Sequence, residues 1–166
     1  MKTYTKEEFL RLGVEWIKET TSPSNVNLDK EETGNSAQIG SSGYYAKISS
    51  SSDDEKIGSS GYFVQIGSSG NGAQIVSSSE TAKIGSSGDD AKISSSGDYC
   101  VICCAGENSI VKAKKGSWIT LTEWRYNGSI NRMIPTCVKT EFVDGKIIKE
   151  DTWYKLENGN FVAVKI

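Results

Sequence analysis

The side chains in this sequence best suited to chemistry are four cysteines, Cys100, Cys103, Cys104 and Cys137. Cys100-x-x-Cys103 is a spacing that tetrahedral zinc sites use, with Cys104 and the distant Cys137 as further candidate ligands. The surrounding pattern argues against a shared ion. Residues alternate here as in a strand, so Cys100 and Cys104 point inward and Cys103 points outward. Small buried hydrophobes are the better reading. The chain contains no histidine, which removes the commonest general base and a frequent metal ligand. Carboxylates are plentiful at Asp53, Asp54, Glu80, Asp89, Asp90 and Asp98, yet no two stand out as an acid–base pair. No catalytic residue, metal or cofactor is assigned, and the chain is not expected to be an enzyme.

What positions these residues is a repeat. Isoleucine falls at positions 39, 48, 57, 66, 75, 84, 93 and 102, and valine at 111, always nine residues apart. Around each lies Ala-Lys/Gln-Ile-Gly-Ser-Ser-Gly-x-x, as in AKIGSSGDD at 82–90. A period this strict marks a solenoid. Ala46, Ile48 and Ser50 should point inward while Lys47 and Ser49 point outward, the alternation of a strand with one buried face. The Ser-Gly that follows reads as a corner, because glycine tolerates positive φ. Nine residues are too few to close around a core, whereas two nonapeptides make an 18-residue coil with two short strands. A second period supports the doubling. Six past each Ile, Tyr45, Phe63, Thr81 and Tyr99 alternate with Asp54, Gly72, Asp90 and Asn108. One edge of the coil is therefore mostly aromatic and the other small or acidic. Ile39, Ile57, Ile75 and Ile93 should stack in one column, and Ile48, Ile66, Ile84 and Ile102 in another. A disordered Gly/Ser linker gives no reason for such spacing, and recurring Gly and paired Ser disfavour a helix.

Two copies depart from the pattern. In SSSSDDEKI at 49–57, Ser52 replaces the corner glycine and Glu55 takes the inward alanine slot, where an unpaired carboxylate is costly. Later, Val76 replaces an outward small residue and Ser79 a corner glycine.

The repeat suggests several ligands, which the residues weigh against. Calcium-binding nonapeptide rolls carry a regular stack of aspartates, whereas the equivalent slots here hold Tyr45, Asp54, Phe63, Gly72, Thr81, Asp90 and Tyr99. Ice contact needs a flat hydroxyl lattice, but the serine two past each Ile points inward and long Lys and Gln chains interrupt the outer face. The Lys47, Lys56, Lys83 and Lys92 stripes offer contacts to phosphate, offset by acidic corners and a net charge of −2. Direct nucleic-acid binding is therefore not expected.

The ends differ from the repeat. Residues 4–19 predict a helix, with Thr5 and Glu8 as a capping box and Phe9, Leu10, Leu12, Val14, Trp16 and Ile17 on the apolar side. It would cap the open end of the solenoid. From residue 112 onward the period is lost, and β-branched and aromatic residues dominate. Strands are expected over 117–126, 136–143, 146–153 and 161–166, with Asn127-Gly128, Asp144-Gly145 and Asn158-Gly159 as hairpin turns. Val101 and Ile110 stand where Lys or Gln stood before, so the C-terminal region should cover the outer face there. The expected fold is mainly β: a two-sided parallel β-solenoid over residues 36–111, an N-terminal helix cap and connector over 1–35, and a C-terminal antiparallel β-sheet over 112–166. No transmembrane run or signal peptide is read, and the cytoplasm is the expected compartment.

Repeats such as AKIGSSG and AQIGSSGYY, passing into YCVICCAGENSIVKAKKGSWITLTEW, resemble uncharacterised Gly/Ser-rich nonapeptide-repeat β-solenoid proteins of phages and mobile elements in Firmicute and gut bacteria. The Cys-rich exit and the KKGSW segment at 114–118 carry the likeness most specifically. The resemblance implies a small phage accessory protein acting in the bacterial cytoplasm, and such proteins often inhibit host defence machinery, including CRISPR nucleases. The expected function is a non-catalytic, protein-binding module of that anti-defence class; the alternative is a structural, adhesive or ice-contacting solenoid. The partner is expected to be a protein, with a basic nucleic-acid-binding surface as the specific candidate. A homo-oligomer is compatible. Candidate partner-binding residues are the aromatics Tyr44, Tyr45, Tyr62 and Phe63, the corner acids Asp53, Asp54, Asp89 and Asp90, and Trp124 and Tyr126 in the C-terminal part.

Overall fold

The structure is a computed structural model that describes residues 27–28 and 36–166. The expected helix over residues 4–19 lies outside the described residues. The first strands are β1 (Asn27–Leu28), β2 (Gln38–Ser41), β3 (Lys47–Ser50), β4 (Lys56–Ser59) and β5 (Gln65–Ser68). The repeat continues through β6 (Gln74–Ser77), β7 (Lys83–Ser86), β8 (Lys92–Ser95), β9 (Val101–Cys104) and β10 (Ile110–Lys112). Four longer strands follow: β11 (Trp118–Asn127), β12 (Arg132–Phe142), β13 (Trp153–Glu157) and β14 (Asn160–Val164). They form two seven-stranded sheets among the described residues. The front sheet runs β1-β3-β5-β7-β9-β11-β12, and the back sheet runs β14-β13-β10-β8-β6-β4-β2. Successive copies of the repeat thus alternate between the sheets, two per coil, as the doubled period requires.

Register follows the isoleucines. In the back sheet Ile39, Ile57, Ile75, Ile93 and Val111 pair in succession. In the front sheet Ile48, Ile66, Ile84, Ile102 and Ile119 do the same. The two columns face each other as a narrow buried core, joined by Ala73, Ala82 and Ala91. Leu28 pairs with Ile48, so the connector supplies a further rung. From Ile48 to Ile93 the serines two past each Ile, such as Ser59, Ser77 and Ser95, are buried, as the alternation required.

The corners overturn one expectation. The glycine of Ser-Ser-Gly does not supply the positive φ. That conformation belongs to the residue two further on, with φ of 56° at Tyr45, 53° at Asp54, 55° at Phe63 and 57° at Asp90. It turns each N–H toward the next coil: Tyr45 donates to the Tyr62 carbonyl at 2.8 Å, and Asp90 to the Glu107 carbonyl at 2.8 Å. The glycine is needed for a different reason. A Cβ on Gly88 would lie 2.0 Å from the Gly70 carbonyl oxygen, one coil below.

Residues 112–166 do not form a separate antiparallel sheet; they prolong both solenoid sheets. Trp118, Ile119, Thr120 and Leu121 of β11 pair in parallel with β9, and β12 then returns antiparallel. On the back sheet, Tyr154 of β13 pairs antiparallel with Val111, and β14 closes the edge. The turn at Asn158-Gly159 is a hairpin with φ of 50° and 70°. Asp144-Gly145 is not. Its carboxylate accepts the N–H groups of Lys146, Ile147 and Ile148 at 2.7, 2.9 and 3.1 Å. The chain curls there instead of forming the strand expected over 146–153, and Val143 and Ile148 are buried at the end of the core. Pro135 and a register shift at Glu123/Trp124 interrupt the outer strand pair, features that discourage edge-to-edge pairing.

Candidate interaction surface

The two corners of each coil are chemically different, although their backbones are alike. One connects front strands to back strands and carries Asp54, Gly72, Asp90 and Asn108 at the positive-φ position. These residue types enter the left-handed region most readily. The preceding residues form a ladder of side chains. The Asp53 carboxylate accepts the Asn71 N–H at 2.8 Å, the Asn71 side-chain oxygen accepts the Asp89 N–H at 2.9 Å, and the Asp89 carboxylate accepts the Glu107 N–H at 2.7 Å. Asp53 and Asp89 therefore hold coils together, and their identity is accounted for by the fold.

The other corner connects back strands to front strands and carries Tyr45, Phe63, Thr81 and Tyr99 at the same φ, 55° to 56°. Bulky and β-branched residues pay about 1–2 kcal/mol for that conformation. They also project into solvent: Tyr45 is 58% exposed, Phe63 48% and Tyr99 69%. Tyr45 and Phe63 stack with centroids 5.1 Å apart, and Tyr44 and Tyr62 stack beside them at 5.2 Å. The four predicted aromatics are thus brought together in a double ladder. Tyr99, Glu80 and Asp98 continue the same corner and were not singled out as binding residues. The signal for Tyr99 was present in the alternation six past each Ile.

The remaining predicted residues lie elsewhere. Asp53, Asp54, Asp89 and Asp90 occupy the opposite corner. Trp124 stands at the far end of the front sheet, its indole N–H donating to the Ala105 carbonyl at 2.8 Å. Tyr126 is exposed beyond it, its hydroxyl bonded to the Asn131 side chain. Beneath Trp124 a polar cleft of about 290 Å³ holds Glu123, Arg125 and Asn158. Glu123 accepts the Gly159 N–H at 2.8 Å and is chelated by Arg125, which also reaches Asn158 at 2.7 Å. The Gly159 amide first, and Arg125 next, hold the Glu123 carboxyl below the usual range. Glu123 and Arg125 of one terminal hairpin thus bond Gly159 and Asn158 of the other, and the cluster ties the two together.

No protein-family profile matches the chain, and neither a curated protein nor a solved structure does.

The outer faces correct a second expectation. On the front face Val101 is 49% exposed and Trp118 and Phe142 are exposed beside it, so the C-terminal region does not cover them, whereas Ile110 on the back sheet is half-buried. That region extends the sheet in its own plane and leaves the outward side open. Trp118 lies against Phe142 at 5.1 Å. Below them a shallow channel of about 620 Å³ runs over Ser49, Gly67 and Gly85 between Lys47, Gln65 and Lys83. Of the cysteines, Cys100 and Cys104 are buried, Cys103 is exposed and Cys137 is half-buried. Burial pushes the Cys100 and Cys104 thiols up, away from the reactive thiolate. Among the described residues no three side chains gather as metal ligands, and no helix is long and apolar enough to cross a membrane.

Proposed function

We propose that this protein is a non-catalytic binding module that engages a protein partner through its aromatic corner. The observation that carries the reading is the contrast between the corners. At one backbone conformation, one corner uses Asp, Gly and Asn, while the other keeps exposed Tyr and Phe at a conformational cost. Strain retained at exposed residues points to a role outside the fold, and Tyr is enriched at the centres of protein interfaces. The carboxylates Glu80 and Asp98 along the same corner favour a basic partner surface. Inhibition of a host defence complex, by occupying its nucleic-acid-binding surface, is the specific role that the resemblance to phage solenoids supports.

The test is capture of the partner from a bacterial host lysate by tagged wild type and variants. Tyr45→Ala combined with Phe63→Ala should weaken capture at least about tenfold, ~1.4 kcal/mol, with circular dichroism unchanged. Neutralising Lys47, Lys56, Lys83 and Lys92 should matter less. Loss with the lysine set and retention with the ring pair would place the interface on the flat faces and favour a polyanion.

A further inference from the structure

The aromatic corner has a missing rung. Its outer column reads Tyr45, Phe63, Thr81 and Tyr99, one residue per coil and all at the same φ. Tyr45 and Phe63 are stacked at 5.1 Å with planes 8° apart. Thr81 then interrupts the ladder. Phe63 and Tyr99 stand two coils apart, ~9.6 Å at the usual strand spacing, with a small side chain between them. The Thr81 hydroxyl turns aside to the Glu80 carbonyl at 2.7 Å. Tyr99 is seated from the other side: a Cβ on Gly116, at φ +90°, would come within 3.1 Å of its ring.

The chemistry around the gap is anionic. The neighbouring column carries Tyr44 and Tyr62, then Glu80 on the rung of the gap and Asp98 on the rung of Tyr99. Both carboxylates are exposed, and neither forms an ion pair among the described residues. Lys114, whose charge senses Asp98 only weakly, is bonded to Asp151 at 2.6 Å.

We propose that the gap over Thr81 receives an arginine guanidinium from the protein partner, an inference that rests on the corner being the binding surface. A guanidinium is flat, stacks on aromatic faces and presents paired N–H groups to carboxylates. It would complete the ladder between Phe63 and Tyr99 while meeting Glu80 and Asp98. A lysine ammonium matches the charge without the planar stacking. An apolar ring would fill the space but leave the carboxylates unpaired, and an anion would be repelled.

The experiment titrates full-length protein with an oligo-arginine peptide and an oligo-lysine peptide of equal length, followed by backbone amide chemical shifts. The arginine peptide should bind about tenfold tighter, a preference worth ~1.4 kcal/mol, with the largest shifts at residues 80–82 and 98–100. Thr81→Phe fills the rung at the φ that Phe63 already adopts, and should abolish the preference. Glu80→Gln should weaken the arginine peptide more than the lysine peptide. Equal affinities for wild type, or a preference that survives Thr81→Phe, would overturn the slot. In lysate capture, Thr81→Phe retaining a partner that the Tyr45→Ala/Phe63→Ala variant loses would overturn the slot and leave the corner standing. Retention by the ring variant as well would bring down both.

Discussion

Phe63 lies over Tyr45 with ring planes 8° from parallel, and both residues hold a left-handed backbone, at φ 55° and 56°. The stack and the strain pull stability in opposite directions. Ring pairs contribute about 0.5–1.5 kcal/mol beyond their buried area, less where the rings are half exposed. The left-handed conformation costs about 1–2 kcal/mol at each residue. Replacing both by Asn, which tolerates that φ, should therefore leave the melting temperature unchanged or raise it while partner capture falls. A clear drop in melting temperature would mean that the rings serve the fold itself.

Two glycines of one repeat should behave oppositely. A Cβ at Gly85 meets nothing within 4 Å, whereas at Gly88 it would strike the Gly70 carbonyl oxygen at 2.0 Å. Gly85→Ala should stabilise by about 0.4–1 kcal/mol by restricting the unfolded chain. Gly88→Ala must push two coils apart and should cost about 1–3 kcal/mol, as overpacking does. Urea denaturation of the two variants would separate them, and similar midpoints would refute the role assigned to the corner glycine.

Glu55 occupies an alanine slot between Ala37 and Ala73, is 0% exposed, and offers two carboxylate oxygens with no hydrogen-bond partner. An unpartnered buried polar group costs about 1–3 kcal/mol by protein mutational measures. Glu55→Ala restores the repeat and should raise stability by about that amount. Ile75→Ala, one coil on and fully buried, should lower it by about 2–5 kcal/mol. Chemical denaturation tests both signs, and a destabilised Glu55→Ala would show that the carboxylate has a structural role.

Acid should loosen the C-terminal end. The Lys146 amide first, with those of Ile148 and Ile147, holds the Asp144 carboxyl below its usual range, and the Gly159 amide does the same for Glu123. A carboxyl depressed by folding binds fewer protons in the folded than in the unfolded chain. The stability it lends is present above the unfolded value, about pH 4, and is lost as pH falls through the lower folded value. Amide exchange at residues 146–148 and 159 should therefore gain protection relative to acid conditions as pH rises past that point, after correction for intrinsic rates. Asp144→Asn should flatten the profile at 146–148 and leave that at 159.

The isoleucine spacing made the register legible, because a nine-residue period leaves few ways to stack strands. The sheet assignment, both Ile columns and the inward Cys100 and Cys104 followed from it. The corner conformation was hidden because local sequence suggests glycine for positive φ, while the reason for Gly88 lies 18 positions away, in the carbonyl of Gly70. Asp54, Gly72, Asp90 and Asn108 did mark the left-handed slot at one corner; the aromatics masked it at the other. Asp144-Gly145 failed as a hairpin signal because the Asp144 side chain captures three amides in succession. Val101 and Ile110 suggested a cover, since alternation gives the outward direction but not whether later strands lie across the sheet or beside it.

The hairpins at the C-terminal end give the molecule a direction in time. Solenoid rungs pair residues 18 positions apart, while β11 with β12 and β13 with β14 pair through short turns. Local pairs close sooner, because less chain entropy is lost before contact is made. Each coil meets only its neighbours, so order should spread from this end toward β2, one coil at a time. The ribosome delivers the coils before their template, so the coils wait for the hairpins to emerge. Native-state hydrogen exchange would reveal the gradient as protection that declines from β9 to β2; even protection across the coils would count against it.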